Sequence, residues 1–459
     1  MRSLVFLAGL LGSALAAPYT HMGSLRRSDV PKNDYTRIDM SLPDKVVVTR
    51  NNTLNSTEPT DHAFSIQAQQ VPISQSLHLS LVNNIGGDGL VCYLSAADSD
   101  GRVFFLKEDG SLYYPSAGGS SVPVPINEPV AITMPPLGQS LDITVPVAFS
   151  SGRIYFSQGA LEFSIVGIGG GNEGLVQPSV NNLQDPSRNL NWGFVELTLT
   201  TTGEIWANIS YVDFIGIIMS MTLRNTDGSI DEVVGLPGDG VRRVCEALKA
   251  QGDRDGRPWA AMCIADEAGN PLRVLSPEDY ETVGPGGFDD YFDAYVDEVW
   301  DLYRAQPLTV DTQNDALGNA GNVVCQVQGE ELQCEGDNRG YAKPTVHDIW
   351  GCNSGPFGIQ EGDNAVHYAV VPRLCAAFQR ATYTIPGGDH QPGVGADQYY
   401  TVDPASHYSR IVHENEVDGK GYAFPYDDVN PDGAPDAAGL VTSGNHDVLV
   451  FYVGGAQSS

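Results

Sequence analysis

The chain has 459 residues, and 57 acidic against 25 basic side chains give it a formal net charge of -32. That field repels phosphate backbones and anionic lipid, so nucleic acid and a membrane surface are excluded as partners while a neutral polymer is not. No apolar run approaches the roughly 18 residues that a membrane-crossing helix needs, and the charge itself reads as a device for solubility.

Residues 1–16 begin with Arg2, continue through the apolar run Leu4 to Leu11 and end on Ala14-Leu15-Ala16. This is the pattern of a cleaved secretory signal, so a secreted, extracellular protein is expected. Residues 17–62 read as a polar, flexible leader with acceptor sequons at Asn51 and Asn55 and a dibasic processing pair at Arg26-Arg27. Residues 63–239 form a succession of short alternating segments, among them Leu77–Val82, Leu141–Val147 and Arg153–Phe156, separated by Gly, Pro, Asn and Asp. They predict a β domain, an antiparallel barrel or sandwich. Residues 240–382 change texture: Val241, Val244, Cys245 and Leu248 recur at helical spacing. Phe292, Tyr295, Val296, Val299, Trp300 and Tyr303 do so with Asp293, Asp297, Glu298 and Asp301 opposite them. A mixed α/β subdomain is expected there, with Pro372 in the first turn of one of its helices. Residues 383–459 are turn-rich and close on the apolar strand Val448–Val453, expected to return to the β domain.

Seven cysteines follow the signal, an odd number, in a chain expected in an oxidising compartment. Cys325 and Cys334 flank an apparent hairpin, and Cys245 with Cys263 and Cys352 with Cys375 are neighbours in sequence, which leaves Cys92 inside an apolar strand. Spacing alone does not fix connectivity. Cys92 has no adjacent His or basic residue to activate it and reads as a small buried hydrophobe.

Asp428, Asn430, Asp432 and Gly433 echo the start of a calcium loop, yet position 439 is Gly where a bidentate Glu belongs, and Pro431 and Pro435 interrupt the run. An ordinary turn is the better reading, with a calcium-dependent lectin as the weaker one. Asp98-Ser-Asp-Gly101 likewise reads as a hairpin turn. The nine histidines show no paired metal spacing, and no nucleotide fingerprint follows the glycine run at Gly169–Gly171. No cofactor and no metal is implied.

The chemistry concentrates in Phe194–Asp213, which reads as a β-hairpin turning at Thr201-Thr202-Gly203. Val195, Leu197 and Leu199 share one face, while Glu196, Thr198 and Thr200 share the other. On the return strand Ile205, Ala207, Ile209 and Tyr211 alternate with Trp206, Asn208 and Ser210, a face suited to sugar. Glu196 and Asp213 are thus candidates for an acid and a base beside one glycosidic bond. Asp213 has the wrong parity, however, and joins Glu196 only where the strand bulges or ends just before it. Asn208-Ile-Ser210 is itself a sequon, and a glycan there would obstruct the face assigned to substrate, so Asn208 is expected to be bare and to contact sugar or position its neighbours.

Six segments in one order, Gly152–Ser157, Phe194-Val-Glu196, Ala207–Asp213, Tyr291–Trp300, Asp348–Phe357 and Tyr422–Val429, resemble glycoside hydrolase family 64, β-1,3-glucanases with a thaumatin-like barrel. The similarity runs over residues 64–455. It implies a mainly β, thaumatin-like antiparallel barrel or sandwich beside a mixed α/β subdomain, with an open groove that accepts a β-1,3-glucan chain. It also implies inversion at the anomeric carbon, with Glu196 as general acid and Asp213 as general base; with the signal pattern, the expectation is a secreted, endo-acting enzyme that works as a monomer. Thr198, Trp206 and Ser210 match positions along the sugar path. The alternative is a noncatalytic thaumatin-like protein whose groove only holds glucan.

Overall fold

The computed structural model describes residues 33–38, 76–86, 89–182, 184–317, 321–435 and 437–456. The expected signal, the Arg26-Arg27 pair and the sequons at Asn51 and Asn55 lie outside the described residues. Among the described residues no helix is long and apolar enough to cross a membrane.

Alternation builds the β half. In the strand Leu77–Asn83 the leucines at 77, 79 and 81 are buried while His78 is exposed, as a period of two requires when one face meets a core. This strand lies between Ser140–Val145 and the chain's last strand, His446–Val453, and Met219–Asn225 and Ile230–Val233 complete a five-stranded sheet. An eight-stranded sheet runs from Leu440–Ser443 through Ile205–Ile209, Asn191–Leu199, Phe149–Gln158, Leu90–Ala97 and Val103–Leu106 to Leu112–Tyr113, with Ile132–Thr133 also on Leu90–Ala97. Leu79, Met221 and Phe451 of the first sheet share one core with Leu94, Ile154, Val195 and Ala207 of the second. The architecture is mainly β, and neither sheet closes into a barrel. The larger one stops at the two-residue edge strand Leu112–Tyr113, too short to carry the ladder around to Leu440–Ser443.

The mixed portion holds α1 (Gly240–Asp255), α2 (Pro277–Val283), α3 (Asp293–Ala305), α4 (Val346–Gly351) and α5 (Ala365–Arg380), with α6 (His407–Asn415) following. α3 buries Tyr295, Val296, Val299, Trp300 and Tyr303, the predicted stripe. α2 starts at Ser276, whose side chain accepts from the Asp279 N–H, with Pro277 in the first turn. α4 starts at Thr345, which forms a reciprocal capping box with Asp348. Pro372 departs from expectation. It sits in the interior of α5, because Asn364 caps that helix eight residues earlier by accepting from the His367 N–H. The second half of α5 is buried from Val370 to Arg380, and that tertiary burial outweighs the proline's missing donor.

Part of the stretch read as a flexible leader is docked. Thr36–Arg37 pairs parallel with Ile264–Ala265. Asn33 donates to the Lys249 carbonyl at 2.9 Å and accepts from the Ala260 N–H at 2.9 Å. A Cβ at Gly252 would stand 2.2 Å from Asn33 Oδ1, so that glycine makes room for the contact. Local polarity could not reveal this, because the partners lie more than two hundred positions away.

The disulfides are Cys245–Cys263, Cys325–Cys334 and Cys352–Cys375, with Cα separations of 5.7, 4.0 and 5.8 Å. Cys92 is free and buried, and burial pushes its thiol up to about 12. Asp98 shapes the predicted hairpin turn, its Oδ1 accepting from the N–H groups of Asp100 and Arg102. The Asp428–Gly433 segment is tied to Gln313, which donates to the Asn430 carbonyl and to Asp432 Oδ1.

Candidate active site

Register assembles the site. Glu196 on the strand Asn191–Leu199 stands directly opposite Arg153 on one neighbouring strand and Asn208 on the other, and Arg153 stands opposite Ser95. Residues in direct register share a face, so Ser95, Arg153, Glu196 and Asn208 form a polar row across four strands. One step along the hairpin, Thr198 faces Trp206 and Trp206 faces Thr442. Trp206 and Thr198 are both half-buried, while Asn208 and Ser210 are buried.

Glu196 is only 5% exposed. Arg153 Nε and Nη2 donate to its Oε1 at 3.1 and 2.9 Å, and Asn208 Nδ2 stands 3.4 Å from its Oε2. The guanidinium rests 4.3 Å from the ring of Phe194, which belongs with Tyr155, Trp192 and Phe214 to an aromatic group beside the row. Gln177 fixes the remaining arm of Arg153, accepting from Nη1 at 3.2 Å and from the Tyr155 hydroxyl. Burial raises the Glu196 carboxyl above the ordinary range; the Arg153 charge pulls it down, and Asp213 pushes it up again. The net direction is upward, the setting in which a carboxylic acid keeps its proton.

The parity conflict at Asp213 resolves as the hairpin requires. Regular pairing ends at Ile209, Ser210 makes an isolated bridge to Tyr422, and the chain bends at Val212 and Asp213 before the short strand Phe214–Ile215. The Tyr211 ring stays in the core, its hydroxyl accepting from the Leu236 N–H at 3.1 Å. Freed from alternation, the Asp213 side chain is 47% exposed, with Oδ2 3.9 Å from Arg153 Nη2. Its backbone carbonyl accepts from the Ser276 N–H at 2.8 Å, which joins the sheet to the start of α2.

Three participants have no counterpart in the sequence reading. Arg153 bridges the carboxylates; alternation along Arg153-Ile-Tyr-Phe-Ser157 puts it on a polar face but says nothing of its partner. Glu278 and Asp279, in the first turn of α2, surround Asp213 electrostatically: burial, with Asp213 adding to it, raises Glu278 to about 8 and Asp279 well above its ordinary value. Asn181 Nδ2 donates to Asp279 Oδ1 at 2.5 Å. The site can therefore hold one buried acid in its neutral form beside a solvent-reachable carboxylate, which is the electrostatic division that acid–base hydrolysis uses.

Comparison with known proteins agrees with this chemistry. The profile of glycoside hydrolase family 64, described as β-1,3-glucanase, matches residues 75–453. Glucan endo-1,3-beta-glucosidases of Cellulosimicrobium cellulans and of Arthrobacter sp. (strain YCWD3) are each 29% identical over 385 residues, covering 81% of this chain and 66% of their own length. The chain thus spans about two thirds of these curated relatives. A laminaripentaose-producing β-1,3-glucanase, crystallised with laminaritetraose, superposes with a TM-score of 0.69 at 28% identity, over 83% of this chain and 98% of that one. A family 64 β-1,3-glucanase domain from Clostridium beijerinckii shares the fold, with a TM-score of 0.61 at 18% identity, over 84% of this chain and 100% of that one.

Proposed function

Because the chain belongs to glycoside hydrolase family 64, the β-1,3-glucanases, we propose that it cleaves internal β-1,3 linkages of a neutral glucan, with Glu196 as general acid and Asp213 as general base. The observation that carries this reading is the pairing of a buried carboxyl raised above its ordinary range with a half-exposed carboxylate on the same arginine. Glu196 gives its proton to the glycosidic oxygen as the bond from that oxygen to C1 breaks. A water attacks C1 from the opposite face and passes a proton to Asp213, so the configuration inverts. Arg153 then holds the ionised Glu196 until the next proton arrives.

Substrate is held by the neighbouring row. Trp206 offers a flat apolar surface to a pyranose ring, Thr198 and Ser210 offer hydroxyl partners, and Asn208 orients Glu196. In this reading the glucan lies in an open groove between the β-sandwich and the mixed portion, the arrangement implied by the thaumatin-like resemblance. The protein works as an exported monomer after loss of residues 1–16.

A reducing-sugar assay on laminarin with wild type and Glu196→Gln tests the proposal. Release by wild type and a loss of about 10²–10⁴ in kcat for the variant, with laminarin still bound, is the expected result. Binding without release by wild type would instead identify a noncatalytic glucan-binding protein, and equal release by both would remove Glu196 from the acid role.

A further inference from the structure

A second cluster of chemistry lies at the far end of α2. Glu281, Asp289 and His347 each present a ligand atom, and these atoms lie within 4.8 Å of one another. Three unrelated pieces of backbone bring them together. Glu281 sits near the end of α2, Asp289 follows the reversal at Gly286, whose φ is +94°, and His347 sits just inside the capped start of α4. The Gly286 N–H donates to Glu281 Oε2 at 3.3 Å, so the turn that carries Asp289 also holds Glu281.

Glu281 carries the argument. It is 6% exposed, and its second oxygen, Oε1, is buried without a hydrogen-bond partner. A carboxylate oxygen in that position is costly unless something positive meets it. Among the described residues no lysine or arginine forms an ion pair with it; besides the backbone N–H groups of Gly286 and Phe288, the side chains gathered around it are a carboxylate and an imidazole, both of which are metal ligands. The walls are firm: Phe288 packs edge-on against Tyr280 and Trp350, at 6.1 and 6.2 Å between ring centroids. Glu278 packs where a Cβ on Gly351 would be, which brings α2 close against α4.

We propose that Glu281, Asp289 and His347 bind one divalent cation of the zinc or manganese type. One imidazole nitrogen with two carboxylates suits these metals, whereas calcium takes oxygen ligands almost throughout. With Asp289 exposed and His347 half-buried, the site opens to solvent on one side, and water completes the coordination. The metal ties the end of α2 and the turn after it to α4. Its role is to brace α2, whose first turn carries Glu278 and Asp279 beside Asp213, and it takes no part in the hydrolysis itself. The inference is independent of the catalytic reading.

The test uses the untagged full chain, stripped with a chelator and dialysed against Zn²⁺, with bound metal counted by plasma mass spectrometry. One equivalent per chain is expected in wild type. Asp289→Asn and His347→Gln should each weaken zinc binding by at least tenfold. Zinc should raise the melting temperature of stripped wild type and leave that of the double variant unchanged. Because both substituted side chains reach solvent, the variants should keep the wild-type circular dichroism spectrum. Less than a tenth of an equivalent in wild type, unchanged zinc affinity in the double variant, or retention of Ca²⁺ in preference to Zn²⁺ would overturn the proposal.

Discussion

Glu196 and Asp213 meet on a single nitrogen, Arg153 Nη2, which stands 2.9 Å from Glu196 Oε1 and 3.9 Å from Asp213 Oδ2. The arginine lowers the pKa of a carboxyl that burial raises, so it sets the pH at which the acid loses its proton. A general acid works only while protonated, and activity is therefore lost as pH rises through that raised value. Removing the charge should move the alkaline limb of kcat/KM upward, by about one pH unit or more in Arg153→Met, with Arg153→Lys moving it less. Plateau kcat should fall as well, because ionised Glu196 loses its partner. A limb that stays in place, or moves downward, would show that Arg153 does not tune this acid.

The same two distances bound the geometry. Glu196 Oε1 and Asp213 Oδ2 lie no farther apart than the sum of their distances to the shared nitrogen, about 6.8 Å. Inverting hydrolysis needs carboxyl groups about 6.5–9.5 Å apart to admit a water, whereas retention needs about 5–5.5 Å; both ranges reach below this bound, so the anomer of the product decides between them. Proton NMR of the first products from laminarin should show the α-anomer before mutarotation. Early accumulation of the β-anomer would mean that Asp213 acts as a nucleophile and that the water-activating role is wrong.

The parts of this site that could be read in the sequence are those that depend on neighbours in the chain. The hairpin from Phe194 to Ile209, its turn at Gly203 and the end of pairing before Asp213 follow from alternation and its interruption. The three cysteine pairs join residues at most 23 positions apart. Arg153 reaches Glu196 from 43 positions away, and Glu278 and Asp279 approach Asp213 from a separate helix. Their meeting is decided by strand order and by the packing of α2, neither of which leaves a periodic trace. Pro372 fails for the opposite reason. A local rule for proline was overridden by a cap at Asn364 and by burial of the helix that follows.

Glu278 makes a stability prediction whose sign follows from linkage. Its folded value, about 8, lies above the ordinary 4.5, chiefly through burial, with Asp213 and Asp348 adding to it. Its stabilising contribution is therefore complete below about 4.5 and is lost as pH rises through 8, because only the unfolded chain releases the proton freely in between. Melting temperature should fall from pH 5 to pH 8. Glu278→Gln, which keeps the shape and removes the charge, should flatten that fall and raise the pH 8 value by roughly 3 °C or more. An unchanged slope in the variant would place the pH dependence elsewhere, for instance in the net charge of -32.

Asn208 brings a modification signal and a structural role into conflict at one side chain. Asn208-Ile-Ser210 is an acceptor sequon, yet the residue is 9% exposed, lies in a paired strand opposite Glu196 and directs its amide nitrogen toward Glu196 Oε2 at 3.4 Å. An attached glycan would use that nitrogen and would occupy the face assigned to substrate. Glycopeptide mass spectrometry on protein from a glycosylating host should find Asn208 bare. Asn208→Ala should lower kcat by about tenfold while changing the binding of laminarin little, since the lost contact orients the acid and leaves Trp206 and Thr198 in place. Asn208→Asp should do more harm, because a second carboxylate beside Glu196 would compete for Arg153 and leave two like charges in one buried site. Full glycan occupancy in an active preparation would overturn both the substrate face and the role of Asn208 in holding Glu196.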